Sequence, residues 1–403
     1  MNDTADLADR RCIYCWGATE DAQFSEEHIW PQSLGGVAGP AHFITRDVCE
    51  TCNNRCGLWV DAGFTKTFLA FGDALRGAEL FLDPDKPGPL PLVYMGIDVE
   101  FACASDEVCE RWAGPSGEHV YHVHLRDQPK WDAHAGGDIL RRRRDPGRVY
   151  VYLTSPELYW TLTALISVAA RFPRAKRRCL TVLDGDSLSP LILRVDEGEL
   201  ADCEVREIAF IRGRPTGPIQ GQFSIQVDAT DRFLAKLALG FGHTLLGPKV
   251  SGSPYADDLR RMLWPRLGEE DAADRIRGSA GLRGLDDPVL ARFLGVEGAW
   301  TLSFRAMPDG FVMSLATPGL KLMHIALSDD PSLWPQEAIA RFGDGETYVV
   351  VPQRGLVVGP IAFADFLAHQ LDGPREPRLA ELDALKANAA RRPPKRPQAG
   401  EAT

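Results

Sequence analysis

Four cysteines set as two Cys-x-x-Cys pairs, Cys12/Cys15 and Cys49/Cys52, constrain the fold of this chain more than any other feature. Residues 1 to about 56 are short segments punctuated by glycine and cysteine, too small to hold a core unaided. Four thiolates can close a tetrahedral zinc site, with each sulfur about 2.3 Å from the ion, and such a site supplies folding free energy directly. The spacing therefore predicts two knuckles around one structural Zn2+, flanking an inserted loop. An odd total of nine cysteines, four of them paired, favours metal over disulfides in a reducing compartment. Cys56 breaks the spacing and reads as a packing residue. Cys103, Cys109, Cys179 and Cys203 are scattered and read as buried small hydrophobes.

The inserted loop carries Glu26-Glu27-His28-Ile29-Trp30-Pro31 and the turn-forming pair Gly35-Gly36, and Asn53 and Asn54 follow the second cysteine pair directly. Phosphodiester hydrolysis needs a base for water and a cation for the charge on the scissile phosphate and leaving oxygen. A neutral imidazole suits the first task; a carboxylate with an amide oxygen suits the second. On a strand, neighbouring side chains point to opposite faces, so Glu27 and His28 serve different jobs unless the chain turns there. Alone, a Glu-His pair reads as an ordinary surface pair. Framed by two cysteine pairs, with Asn53 next to Cys52, it becomes a specific signal.

Residues 12–57 resemble the zinc-containing branch of the HNH (His-Me finger, ββα-metal) endonucleases. The matching stretches are Cys12-Ile13-Tyr14-Cys15, Ser25-Glu26-Glu27-His28-Ile29-Trp30-Pro31-Gln32-Ser33-Leu34-Gly35-Gly36 and Val48-Cys49-Glu50-Thr51-Cys52-Asn53-Asn54-Arg55. The resemblance implies two strands followed by a helix, with zinc pinning the base. It implies His28 as general base and Glu27 as a ligand of a catalytic Mg2+ or Mn2+. Asn53 would be the second ligand, with Asn54 one residue away as the substitute. The family's middle asparagine, which ties down the loop and orients the base, has no clear counterpart. Its position falls near Ile44, Thr45 or Asp47, of which Asp47 could bridge backbone groups in the same way.

The remaining chain reads as a large mixed α/β region, so the expected fold class is α+β: a small zinc-stabilised module over 1–82, a proline-rich linker over 83–91, one or more mixed domains over 92–388 and a disordered basic, proline-rich tail over 389–403. Helical spacing runs from Leu58 to Leu80. Strands are expected at 92–101, 119–125, 149–153, 180–183, 191–195, 320–327 and 347–351. A hairpin is expected around Pro308-Asp309-Gly310. Apolar helices are expected from Pro156 to Phe172 and, capped by Thr230 or Asp231, through Phe233, Leu237, Phe241 and Leu245 to Gly247-Pro248. Gly240-x-Gly242 lacks the strand-then-helix setting of a nucleotide loop. His122 and His124 alternate and share a strand face that could bind metal or phosphate, although such histidines are more often surface residues. His243 reads as a core histidine.

The net charge of −11 argues against indiscriminate adhesion to nucleic acid, but its distribution is uneven: net −5 over residues 1–71 and net +8 over residues 139–178. Arg141, Arg142, Arg143, Arg144, Arg177 and Arg178, with Arg55 beside the module's second knuckle, are the candidate phosphate contacts. DNA is the expected partner ahead of RNA, with a regulatory ligand or protein partner acting through residues beyond the module. No apolar run reaches the roughly 18 residues of a membrane span, and the acidic start lacks the parts of a signal peptide, so a cytoplasmic location is expected. The expected activity is metal-dependent phosphodiester hydrolysis, by analogy in restriction or anti-phage defence. The rivals are a zinc-stabilised nucleic-acid-binding or scaffold protein without cleavage and a toxin-like nuclease silent until a ligand binds.

Overall fold

Between the cysteine pairs the chain folds as a strand, a run of short turns and a second strand, followed at once by a helix. The computed structural model describes residues 10–17, 24–65, 68–83, 87–101, 103–114, 117–126, 147–153, 157–181, 199–214, 228–266, 272–279 and 288–388. Strand Phe24–His28 pairs antiparallel with strand Ile44–Cys49, Glu27 opposite Thr45 and His28 opposite Ile44, with a register shift between Ser25 and Glu27. Helix Glu50–Arg55 continues from Cys49. Gly35 turns the loop at φ +92°, and a Cβ on Gly36 would strike the carbonyl oxygen of Trp30. Both positions need glycine, as the sequence suggested.

Contacts divide the chain into two compact units. The first joins residues 1–64 and 79–81 to residues 227–386; the second takes residues 65–78, 82–226 and 387–403. In the first unit a six-stranded antiparallel sheet runs in the order Leu356–Ala362, Glu346–Val351, Trp300–Met307, Gly310–Ala316, Leu322–Ser328, Gly278–Ser279. Helix Ala229–Leu246 is buried all round from Phe233 to Gly242, and one buried cluster combines its Phe233, Leu237 and Phe241 with Ile29, Trp30 and Phe43 of the cysteine-flanked hairpin and Trp300, Phe304 and Tyr348 of the sheet. Phe64 stacks on Phe233 with ring centroids 4.1 Å apart, and Trp30 meets Trp300 edge-on at 5.5 Å. Each large side chain buried in this way stabilises the fold by roughly 1.5–3 kcal/mol. Gly240 is a packing residue, because a Cβ there would lie 2.6 Å from Ile29 Cγ2. The helix stops at Gly247, φ +90°, before Pro248, as expected.

The second unit holds a five-stranded sheet ordered Val93–Ile97, Glu107–Ala113, His119–Leu125, Arg148–Leu153, Lys176–Thr181. All pairs are antiparallel except the last, where helix Leu158–Arg171 makes the crossover that a parallel pair requires. One sheet face packs Trp112, Val120, Val149 and Val151 against Val168 and Phe172. The other packs Tyr121, Val123 and Tyr150 against Ile211 of helix Asp202–Arg212. Strand Glu107–Ala113 escaped the sequence reading because buried Glu110 and Arg111 interrupt its apolar pattern. The strand expected at 191–195, residues 141–144, Pro156 and the tail from 389 lie outside the described residues. Among the described residues no helix is long and apolar enough to cross a membrane.

Candidate active site

Strand end and helix start bring the four cysteines together: the ligand sulfurs of Cys12, Cys15, Cys49 and Cys52 all lie within 4.8 Å of one another. Cys12 and Cys52 are buried and Cys15 is exposed, while Cys56 is buried outside the cluster, as its spacing implied. Crowding sets the thiols against one another. Cys12 is pushed up to about 11, first by its hydrogen bond with Cys15, and Cys15 is drawn down to about 2 by the same bond. Four adjoining sulfurs share one negative charge easily and four only around a cation, so this donor set fits a thiolate-bound metal such as zinc. The first knuckle is anchored by its backbone: Ile13 N–H donates to Asp47 O at 2.9 Å, and Ile13 O accepts from Arg260 Nε at 2.9 Å.

The same knuckle reaches Glu27. Tyr14 Oη donates to Glu27 Oε1 at 3.3 Å, and Glu27 is 4% exposed. Lys236, on helix Ala229–Leu246 and fully buried, brings Nζ within 2.8 Å of Glu27 Oε1, 2.9 Å of Asp61 Oδ2 and 3.2 Å of the His28 carbonyl oxygen. Burial works to lower the Lys236 ammonium, but Asp61 and Glu27 override it and hold the group above its ordinary range. Burial pushes Asp61 up to about 6 against the opposing pull of Lys236. Two carboxylates face one ammonium, and this excess of acid suits a further positive charge beside Glu27. Sequence reasoning missed both partners. The available signal was a lone lysine inside Phe233-Leu234-Ala235-Lys236-Leu237-Ala238-Leu239: a cation in so apolar a run must be buried, and a buried cation must be paired.

Asn53 is turned by its own hydrogen bonds. Its Nδ2 donates to Ser25 Oγ at 2.9 Å and to the Glu26 carbonyl oxygen at 2.8 Å, which clips the helix to the first strand one residue before Glu27. Its amide oxygen makes no hydrogen bond among the described residues, which leaves it available as a ligand. Asn54 is exposed. His28 is half-buried, and its Nδ1 is buried without a hydrogen-bond partner among the described residues. Asp47 does not reach His28: Oδ1 accepts from Arg10 Nε at 2.7 Å and Oδ2 pairs with His243 Nε2 at 2.8 Å. His243 is thus half-buried and engaged, rather than a core histidine.

Asp47 carries a pH signature. The hydrogen bond from His243, helped by Arg10, draws it from an ordinary 3.8 down to about 2. A depressed carboxylate contributes stability that is present above the unfolded value and lost as pH falls through the folded one. Asp47→Asn is therefore expected to be less stable than the native protein at pH 6, with the gap closing as pH falls from about 4 toward 2. Urea midpoints measured across that range test this; a gap that stays constant would refute it.

The basic candidates are used unevenly. Arg55 is exposed, its guanidinium 4.4 Å over the Trp264 ring. Arg178 is buried, with Nε 3.1 Å from Glu204 Oε1, and Arg148 and Lys176 pair with Glu207 and Glu204 at 2.7 and 2.9 Å. Arg177 is half-buried. Residues 141–144 lie outside the described residues. Part of the positive charge counted over 139–178 is therefore neutralised within its own unit.

A two-stranded hairpin and a following helix, with four cysteines gathered at the base, form a ββα finger that carries a carboxylate, an imidazole and an amide. Residues 12–69 match the family model described as HNH endonuclease, which places a nuclease-class, nucleic-acid-directed module at that end of the chain. No curated protein and no solved structure matches the chain.

Proposed function

We propose that the protein is a metal-dependent endonuclease that hydrolyses phosphodiester bonds in DNA, with His28 as general base. The observation that carries the reading is the clip of Asn53 onto Ser25 and Glu26, which holds an amide oxygen close to the Glu27-His28 segment. Glu27 and Asn53 would hold a divalent ion such as Mg2+ or Mn2+, whose chemistry is to stabilise charge on the phosphate and the leaving oxygen. His28 takes the proton of the attacking water, a task for which a neutral imidazole is suited. Tyr14 and Lys236 position Glu27 from behind, so its carboxylate cannot swing. Exposed Arg55 supplies a phosphate contact beside Asn54. A restriction or anti-phage role rests only on analogy with other nuclease modules joined to large second units.

His28→Ala is expected to lower cleavage of supercoiled plasmid in Mg2+ or Mn2+ by about 10²–10⁴-fold, the usual contribution of a general base, while thiolate-bound metal and folding stay unchanged. A single-stranded RNA run beside the plasmid decides the substrate class. The Lys236–Glu27 ion pair favours one alternative, nucleic-acid binding without cleavage, because a fixed ammonium, though shared with Asp61, already offsets part of the carboxylate's charge. Wild-type protein that binds DNA but never nicks it with either ion would establish that alternative and overturn the nuclease reading.

A further inference from the structure

The second unit contains a cluster that the nuclease reading does not use. Glu110 lies on strand Glu107–Ala113, and directly opposite it on strand His119–Leu125 lies His122, with His124 two residues along on the same face. All three residues are 2% exposed, on the sheet face packed with Trp112, Val120 and Phe172. Three ionisable groups in so apolar a setting are costly to bury unless something offsets their lost hydration. Their candidate ligand atoms lie within 4.8 Å of one another.

The distances resemble a coordination polyhedron. His122 Nδ1 is 3.3 Å from Glu110 Oε2, and His124 Nε2 is 3.4 Å from Glu110 Oε1. Two bonds of 2.0–2.1 Å at a tetrahedral angle span about 3.3 Å between their ligand atoms. The surroundings also orient the ligands. His124 Nδ1 lies 2.8 Å from the Leu125 carbonyl oxygen, which fixes the proton there and leaves the Nε2 lone pair facing the cluster, with no hydrogen-bond partner among the described residues. Trp112 Nε1 donates to Glu110 Oε2 at 3.3 Å, and Phe172 lies against the His122 ring with centroids 4.5 Å apart. A ligating histidine whose other nitrogen is bonded to a carbonyl, and a carboxylate held by a further donor, are the usual outer support of a metal site.

We infer that Glu110, His122 and His124 form a second metal site, separate from the four-cysteine cluster, for a borderline first-row divalent ion such as Zn2+ or Co2+. Two imidazole nitrogens with one carboxylate select such ions over Mg2+ and Ca2+, which prefer oxygen. An ion there ties strand Glu107–Ala113 to strand His119–Leu125 from inside the packed face. It also gives a physical reason for three buried polar groups on adjacent strands. Without an ion, the same groups would be a carboxylate–imidazolium pair, and metal content separates the two cases.

The test uses the full-length protein loaded with Co2+ and washed with a mild chelator. A thiol-reactive mercurial then releases cobalt from the cysteine cluster, followed by loss of its intense sulfur-to-cobalt absorption. The expected result is one equivalent retained after the mercurial, with the weak visible bands of nitrogen and oxygen ligation. His124→Ala and Glu110→Gln are each expected to lose that equivalent and keep the mercurial-sensitive one. Glu27→Gln, altered in the nuclease module, is expected to keep both. Wild-type protein that holds no more than one equivalent of cobalt before the mercurial and none after it overturns the inference, and so does a folded His124→Ala protein that retains as much cobalt as the wild type. If His124→Ala fails to fold, the mercurial experiment on the wild type still decides.

Discussion

Cys52→Ser is expected to remove the thiolate-bound metal and unfold the first unit. Structural zinc contributes on the order of 10–16 kcal/mol in small zinc modules, comparable to or larger than the roughly 5–15 kcal/mol stability of a whole domain. The loss cannot stay local, because Ile29, Trp30 and Phe43 of the hairpin share one buried cluster with Phe241, Trp300 and Tyr348. Cys56→Ser is the control: its sulfur lies outside the four-cysteine cluster, so the metal is retained. Metal analysis with near-ultraviolet circular dichroism tests both variants. A Cys52→Ser protein with native tertiary signal, or a Cys56→Ser protein without metal, would refute the assignment of ligands.

Lys236→Met is expected to cost about 3–5 kcal/mol, because it strands buried Glu27 and half-buried Asp61 without their shared ammonium. For a unit of this size that is a fall in Tm of roughly 10 °C. Adding Asp61→Asn to Lys236→Met removes one stranded charge and is expected to recover part of the loss. Each variant alone is then more damaging than additivity with the other allows. Simple additivity in thermal melts would show that the three groups do not act as a unit.

What could be read in the sequence followed short-range rules. Cys12/Cys15 and Cys49/Cys52 announced their cluster because ligand spacing is local chemistry, and Gly35-Gly36 announced its turn because a Cβ is forbidden there. Strand His119–Leu125 and helix Ala229–Leu246 were legible from their periodicity. Strand Glu107–Ala113 was not, because Glu110 is buried with His122 and His124, and a buried polar residue looks exposed to any pattern of hydropathy. The charge count over 139–178 misled in the same way: Arg178 has Glu204, 26 residues on, as its partner.

The amino-acid order by itself therefore determined a hairpin and helix with four clustered cysteines at one end of the chain, and within it the Glu27, His28 and Asn53 candidates. Tertiary structure alone decided that this finger is built into one core with residues 227–386, that a lysine 209 residues after Glu27 pairs with it and with Asp61, and that Asp47 serves His243 rather than His28. The physical reason is separation. Thiolate spacing and turn geometry act between near neighbours, whereas partners for buried charge are chosen by packing among segments that the chain keeps far apart.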